Sequence, residues 1–156
     1  MALTGAKAGN FETGLLNYIF LGQTESIHTG ANLYVGLFTG EATLDDDTPY
    51  ASYEPTEAKG LLGYQRVRVS DAFSTDADAG AGALPASITN DALMDFGTST
   101  NSAGWGSVTG FFITTGSTPG DGNDAMMYYG AFDTPRTVST GDSVRINATN
   151  LTIKEK

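Results

Sequence analysis

The stretch from Trp105 to Ile146 constrains this chain most. It reads Trp105-Gly-Ser-Val-Thr-Gly-Phe-Phe-Ile113, then Met126-Met-Tyr-Tyr-Gly-Ala-Phe132, Thr134-Pro-Arg-Thr-Val138 and Gly141-Asp-Ser-Val-Arg-Ile146. Apolar, aromatic and β-branched runs separated by Gly, Pro, Asp and Asn are the pattern of consecutive antiparallel strands. Residue types that usually carry chemistry are not concentrated there, so the most legible part of the chain is scaffold.

The last strand carries a register problem of its own. Val144, Ile146 and Ala148 share one parity, whereas Leu151 and Ile153 share the other. Side chains alternate faces along a strand, so one extra residue near Thr149-Asn150 is needed to keep a common buried face. The parity change therefore predicts a β-bulge or bend there.

Upstream, residues 1–9 are small and polar without periodicity and are expected to form a flexible arm. Asn10 can cap a helix with Glu12 in its first turn, at the positive end of the dipole. Phe11, Leu15, Tyr18 and Ile19 recur at helical spacing, Leu16 and Phe20 widen the stripe, and Gly22 is a C-terminal stop, which predicts a helix over 10–21. Leu33-Tyr-Val-Gly-Leu-Phe-Thr39 is apolar on both faces, as a central strand is.

Residues 40–63 are acidic and turn-rich, with Asp45-Asp-Asp47, Pro49 and Pro55, and read as a surface insert. Tyr64-Gln-Arg-Val-Arg-Val69 alternates, placing Val67 and Val69 inward and Arg66 and Arg68 outward. Ser74–Leu84 reads as another loop, and residues 86–96 as a strand with weaker alternation through Ile88, Leu93, Met94 and Phe96. The sum is one all-β domain over 10–156. It is an antiparallel β-sandwich of about six to eight strands, jelly-roll-like in connectivity, with one short N-terminal helix.

Composition excludes several function classes. The 156 residues carry 18 acidic and 8 basic side chains, a net charge of −10. Direct nucleic-acid binding needs a Lys/Arg patch to neutralise phosphates, and an anionic membrane surface would repel this chain. No run reaches the roughly 20 apolar residues of a membrane span. The apolar run Leu15–Leu21 makes a poor signal-peptide core, because Lys7 is its one preceding cation and no small-residue cleavage site follows. With no cysteine there is no disulfide, thiolate ligand or thiol nucleophile.

Candidate chemistry is thin. His28 is the one histidine, and no G-x-S-x-G elbow accompanies it. Asp76-x-Asp78-x-Gly80 starts like a calcium loop but no Glu closes it; Asp45-Asp-Asp47 and Asp121-Gly-Asn-Asp124 are further oxygen-rich turns. Ordinary solvated turns have the same composition. Trp105 can stack on a sugar or anchor a strand. No dinucleotide or phosphate-loop fingerprint occurs, and no cofactor, metal site or catalytic residue is expected.

The order Leu33–Thr39, Tyr64–Val69, Trp105–Gly110, Tyr129-Gly-Ala-Phe132, Thr134-Pro-Arg-Thr-Val138 and Gly141-Asp142 resembles a family of small tailed-bacteriophage virion proteins. Its members have a short helix, similar to Leu15-Leu-Asn-Tyr-Ile-Phe20, before the first strand. They are described variously as tail-fibre-like, minor structural or capsid decoration proteins. The resemblance spans most of residues 11–153, and the long acidic insert departs from the family's pattern.

The resemblance implies a non-enzymatic virion structural protein. The leading expectation is a capsid decoration (cement) protein, a homotrimer on the major capsid protein shell that resists internal DNA pressure. A tail or fibre adaptor is the alternative within the virion, and a receptor- or carbohydrate-binding module the alternative outside it. The expected adhesive surfaces are the arm, with Met1, Ala2, Leu3 and Thr4, and the insert, with Tyr50, Tyr53, Leu61 and Leu62. Aromatic and apolar groups within polar segments are enriched where proteins meet, although in the insert they can equally pin the loop to its own domain.

Overall fold

The computed structural model describes residues 3–7, 15–16, 18–22, 32–39, 61–73, 87–119 and 124–154. The described strands are β1 (Leu3–Lys7), β2 (Tyr34–Thr39), β3 (Val67–Arg68), β4 (Ser87–Thr89), β5 (Met94–Thr98), β6 (Gly106–Thr114), β7 (Met126–Val138), β8 (Ser143–Ile146) and β9 (Thr152–Lys154). The expected strands at 105–146 are β6, β7 and β8, with both 126–132 and 134–138 inside β7. The fold is the predicted antiparallel β architecture with a short N-terminal helix: residues 15–16 and 18–21 are helical. Gly22 follows at φ +61°, the left-handed stop that closes a helix without a Cβ penalty.

Five strands form one antiparallel sheet in the order β1-β7-β6-β2-β3. Strand β2 lies inside it, between β6 and β3, which explains a sequence apolar on both faces. On one face Val35, Leu37, Val108, Phe111, Ile113 and Phe132 join the main core; on the other Phe38, Phe112 and Tyr129 are also buried. Phe112 stands over Gly36 on β2, where an added Cβ would collide with its ring. Register shifts let β6 and β7 serve both faces. Between Val108↔Arg136 and Gly110↔Ala131, two steps along β6 oppose five along β7. The slack holds Pro135, which a regular interior ladder would not admit.

The second layer is a long two-stranded ribbon interrupted once. β5 pairs β8 through Met94↔Ile146 and Asp95↔Arg145, and β4 pairs β9 through Thr89↔Thr152. Five steps from Thr89 to Met94 oppose six from Ile146 to Thr152. This is the extra residue that the parity change at Thr149-Asn150 predicts. Thr149 takes φ +67° there, the one positive φ among the described non-glycine residues. As a result Val144, Ile146, Leu151 and Ile153 all face the core.

Asn90 holds the interruption in place. It is fully buried, and its Oδ1 accepts from Leu151 N (2.8 Å) while its Nδ2 donates to Ala92 O (2.9 Å) and Asn147 O (2.8 Å). The expected strand over 86–96 is thus two strands joined at a corner, and Leu93 is turned outward, 50% exposed. Weak alternation in that run is the trace of the corner: an asparagine completes hydrogen bonds that a straight ladder would have made.

The exposed end of the ribbon carries a titratable pair. Arg145 Nε donates to Asp95 Oδ2 at 2.9 Å, and Gly97 N donates to Asp95 Oδ1 at 2.9 Å. The Gly97 N–H, and then Arg145, hold the Asp95 carboxyl below the ordinary carboxylate range. Its folded-state pKa is depressed, so its contribution is complete above the unfolded value of about 4 and is lost as pH falls through the lower folded value. Asp95→Asn is therefore expected to reduce the loss of stability on acidification below about pH 4, read as the chemical-denaturation midpoint against pH.

Candidate interaction surface

Among the described residues no group of three or more His, Asp or Glu side chains is placed to hold a metal ion. The carboxylates expected to line oxygen-rich turns at 45–47, 76–78 and 121–123, and His28, lie outside the described residues, as do Tyr50 and Tyr53. Asp124 is described, and it is committed elsewhere. Its Oδ2 lies 2.5 Å from Arg66 Nη1, with the two side chains 5% and 0% exposed.

Arg66 was expected to point to solvent, and the structure corrects this. Its parity is indeed opposite to Val67 and Val69, which pack on the core, and Arg68 is exposed. At position 66, however, the opposite face is the second buried face of the sheet. There the guanidinium donates to Gly116 O at 2.6 Å as well as to Asp124, and lies over the Phe112 ring, 5.4 Å from its centroid. A Cβ on Gly116 would collide with the Asp124 carboxylate. The pair ties both ends of the β6–β7 connection to the segment entering β3.

Trp105 is an anchor, not a sugar platform. It is 3% exposed, meets Tyr64 edge-to-face at 5.7 Å, and donates its indole N–H to Leu62 O at 3.2 Å. The same contact divides the two leucines of the insert. Leu61 packs against the core, whereas Leu62 lends its carbonyl and leaves its side chain 63% exposed. Both expected roles, pinning and exposure, are therefore present in adjacent residues.

Two features remain open on the N-terminal side. β1 pairs with β7 from Leu3↔Phe132 to Lys7↔Tyr128 and has no strand on its other side among the described residues. Leu3 and Thr4 thus lie on a sheet edge, while Met1 and Ala2 lie outside the described residues. The part of the expected arm that is described is a strand. The helical segment is the second feature: Leu15, Leu16, Tyr18, Ile19, Phe20 and Leu21 are 36–75% exposed. Helical spacing suggested an apolar stripe, and hence a buried face. Nothing in the spacing of a single chain says that the cover must come from that chain.

Among the described residues the sheet thus ends at β1, and the helical segment carries exposed apolar side chains. Residues 8–154 match the family model of the podophage GP4 fiber I protein gp80. The chain belongs to that family. No curated protein and no solved structure matches it. It is accordingly a non-enzymatic structural component of the phage virion, a fibre protein. The virion expectation holds. The capsid decoration reading, with the major capsid protein as partner, gives way to the tail-fibre alternative, because the matched family is one of fibres. Strand-and-turn grammar is shared by both kinds of β-rich virion protein, which is why the sequence by itself ranked them wrongly.

Proposed function

We propose that this chain is a subunit of the tail fibre that joins a neighbouring tail component through the open edge of its five-stranded sheet. The observation that supports this is β1, five residues whose one strand neighbour among the described residues is β7, near the N-terminus of the sequence given. An exposed strand edge presents unpaired N–H and C=O groups that a partner's extended segment can complete, with side-chain pockets adding specificity. Leu3 and Thr4 lie on this edge and Met1 and Ala2 precede them in the sequence; Leu62, beside a Leu61 that packs on the core, is proposed as a further contact point. Tyr50 and Tyr53, which lie outside the described residues, are proposed as further contact residues of the insert. The sandwich behind it is the stiff body that a load-bearing fibre needs.

Fractionation of purified particles tests the location. Tails separated from DNA-filled heads are expected to retain the protein, and cross-links from Lys7 are expected to reach a second tail protein. Recovery of the protein with the isolated head shells, or cross-links from Lys7 confined to capsid subunits, would overturn the proposal.

A further inference from the structure

We infer that the helical segment of residues 15–16 and 18–21 is covered by the same segment of further copies of this chain, so that the protein self-associates through its N-terminal helix. The segment has six apolar side chains, Leu15, Leu16, Tyr18, Ile19, Phe20 and Leu21, and all six are exposed, Phe20 by 75%. At about 100° per residue these positions wrap most of the helix circumference. A helix apolar on all sides is stable only when surrounded, and one this short is not stable in water without packing. One flat contact would cover one side of it; several copies of the helix cover one another.

Area and charge favour a second copy as the occupant. Large apolar side chains each bury roughly 150–250 Å² in the aromatic case. Six of them at about half exposure therefore offer several hundred Å², on the order of the 800 Å² that a stable contact takes from each partner. That is comparable with the largest apolar patch of a typical monomer, about 300–600 Å², a size that is often functional. The chain as a whole carries −10, so copies repel wherever acidic surfaces meet. Residues 13–24 contain no charged side chain. This is a place where copies can meet without closing like charges on each other, and a symmetric contact needs only that a patch complement itself. A basic partner would have no reason to choose it.

The inference concerns the chain in solution and does not depend on which tail component it joins. Sedimentation of the purified full chain over a dilution series tests it. The wild type is expected to be oligomeric. An Ile19→Asn/Phe20→Ser double variant is expected to dissociate with a constant raised at least about 100-fold, since two large apolar side chains leave the contact. Its far-ultraviolet circular dichroism should keep the β signature, because those side chains do not pack on the sandwich. Leu93→Ser, which alters an exposed leucine elsewhere, is expected to associate as the wild type does. A wild type that stays monomeric throughout, a double variant that associates as tightly as the wild type, or equal loss in Leu93→Ser would each overturn the inference. So would a monomeric chain that floats with phosphatidylglycerol vesicles through Ile19 and Phe20, which would assign the segment to a lipid surface.

Discussion

Arg66→Ala is expected to lower the unfolding free energy by about 3–5 kcal/mol, measured by urea or guanidinium denaturation. The cost comes less from the attraction that is lost than from what is left behind. Asp124, with a side chain 5% exposed, would lose the Arg66 guanidinium and face a cavity there, and Gly116 O would lose a donor 2.6 Å away. The Phe112 ring would also lose the guanidinium plane above it. Removing both charges is a different experiment. An Arg66→Met/Asp124→Leu double variant is expected to lie much nearer the wild type, because desolvating two ions offsets most of the gain from pairing them. A loss under about 1 kcal/mol in Arg66→Ala would mean that the pair behaves as a solvated surface bridge.

Trp105→Ala is expected to cost about 3–5 kcal/mol, as large-to-small changes at buried aromatic sites do. The indole is closed between the core and Tyr64, and its N–H is satisfied by Leu62 O. Trp105→Phe keeps most of the volume and loses chiefly that hydrogen bond, for a cost of about 1 kcal/mol; Leu62 O still accepts from Thr100 N at 3.1 Å. Since this is the chain's one tryptophan, its emission reports both questions at once. It should shift on unfolding, and it should not respond to added oligosaccharides. A saturable response to a glycan in the folded protein would revive the carbohydrate-binding reading.

These two sites also mark where reading the sequence succeeds and where it stops. Apolar, aromatic and β-branched runs bounded by turn residues located β6, β7 and β8, and the parity change between Ile146 and Leu151 located the bulge, because a buried face constrains every second residue. Gly22 was legible as a stop because a left-handed backbone selects glycine. Alternation gives the face of Arg66, but it does not say whether that face meets water. The answer depends on Asp124, 58 positions away, reaching the same spot. Asn90 was invisible for the same reason: its three partners are distributed between its own corner and residues 147 and 151.

The interaction surface divides in the same way. The sequence named Leu3 and Thr4 in the arm and Leu62 in the insert as candidates, which the structure places on a sheet edge and at an exposed turn, and it gave the apolar run at 15–21 as part of a helix. It did not show that the run would remain exposed, since an apolar stripe has the same spacing whether its cover is the same chain or another.

Local sequence, then, determined strand identity, the bulge, the helix stop and the all-β class, because each is set by side-chain period or by backbone sterics within a few residues. The tertiary structure alone decided that Arg66 is paired, that Trp105 is closed off and that, among the described residues, the helical side chains stay exposed and β1 has one strand neighbour. Burial is a property of what arrives from elsewhere in the chain, and no window of sequence contains it.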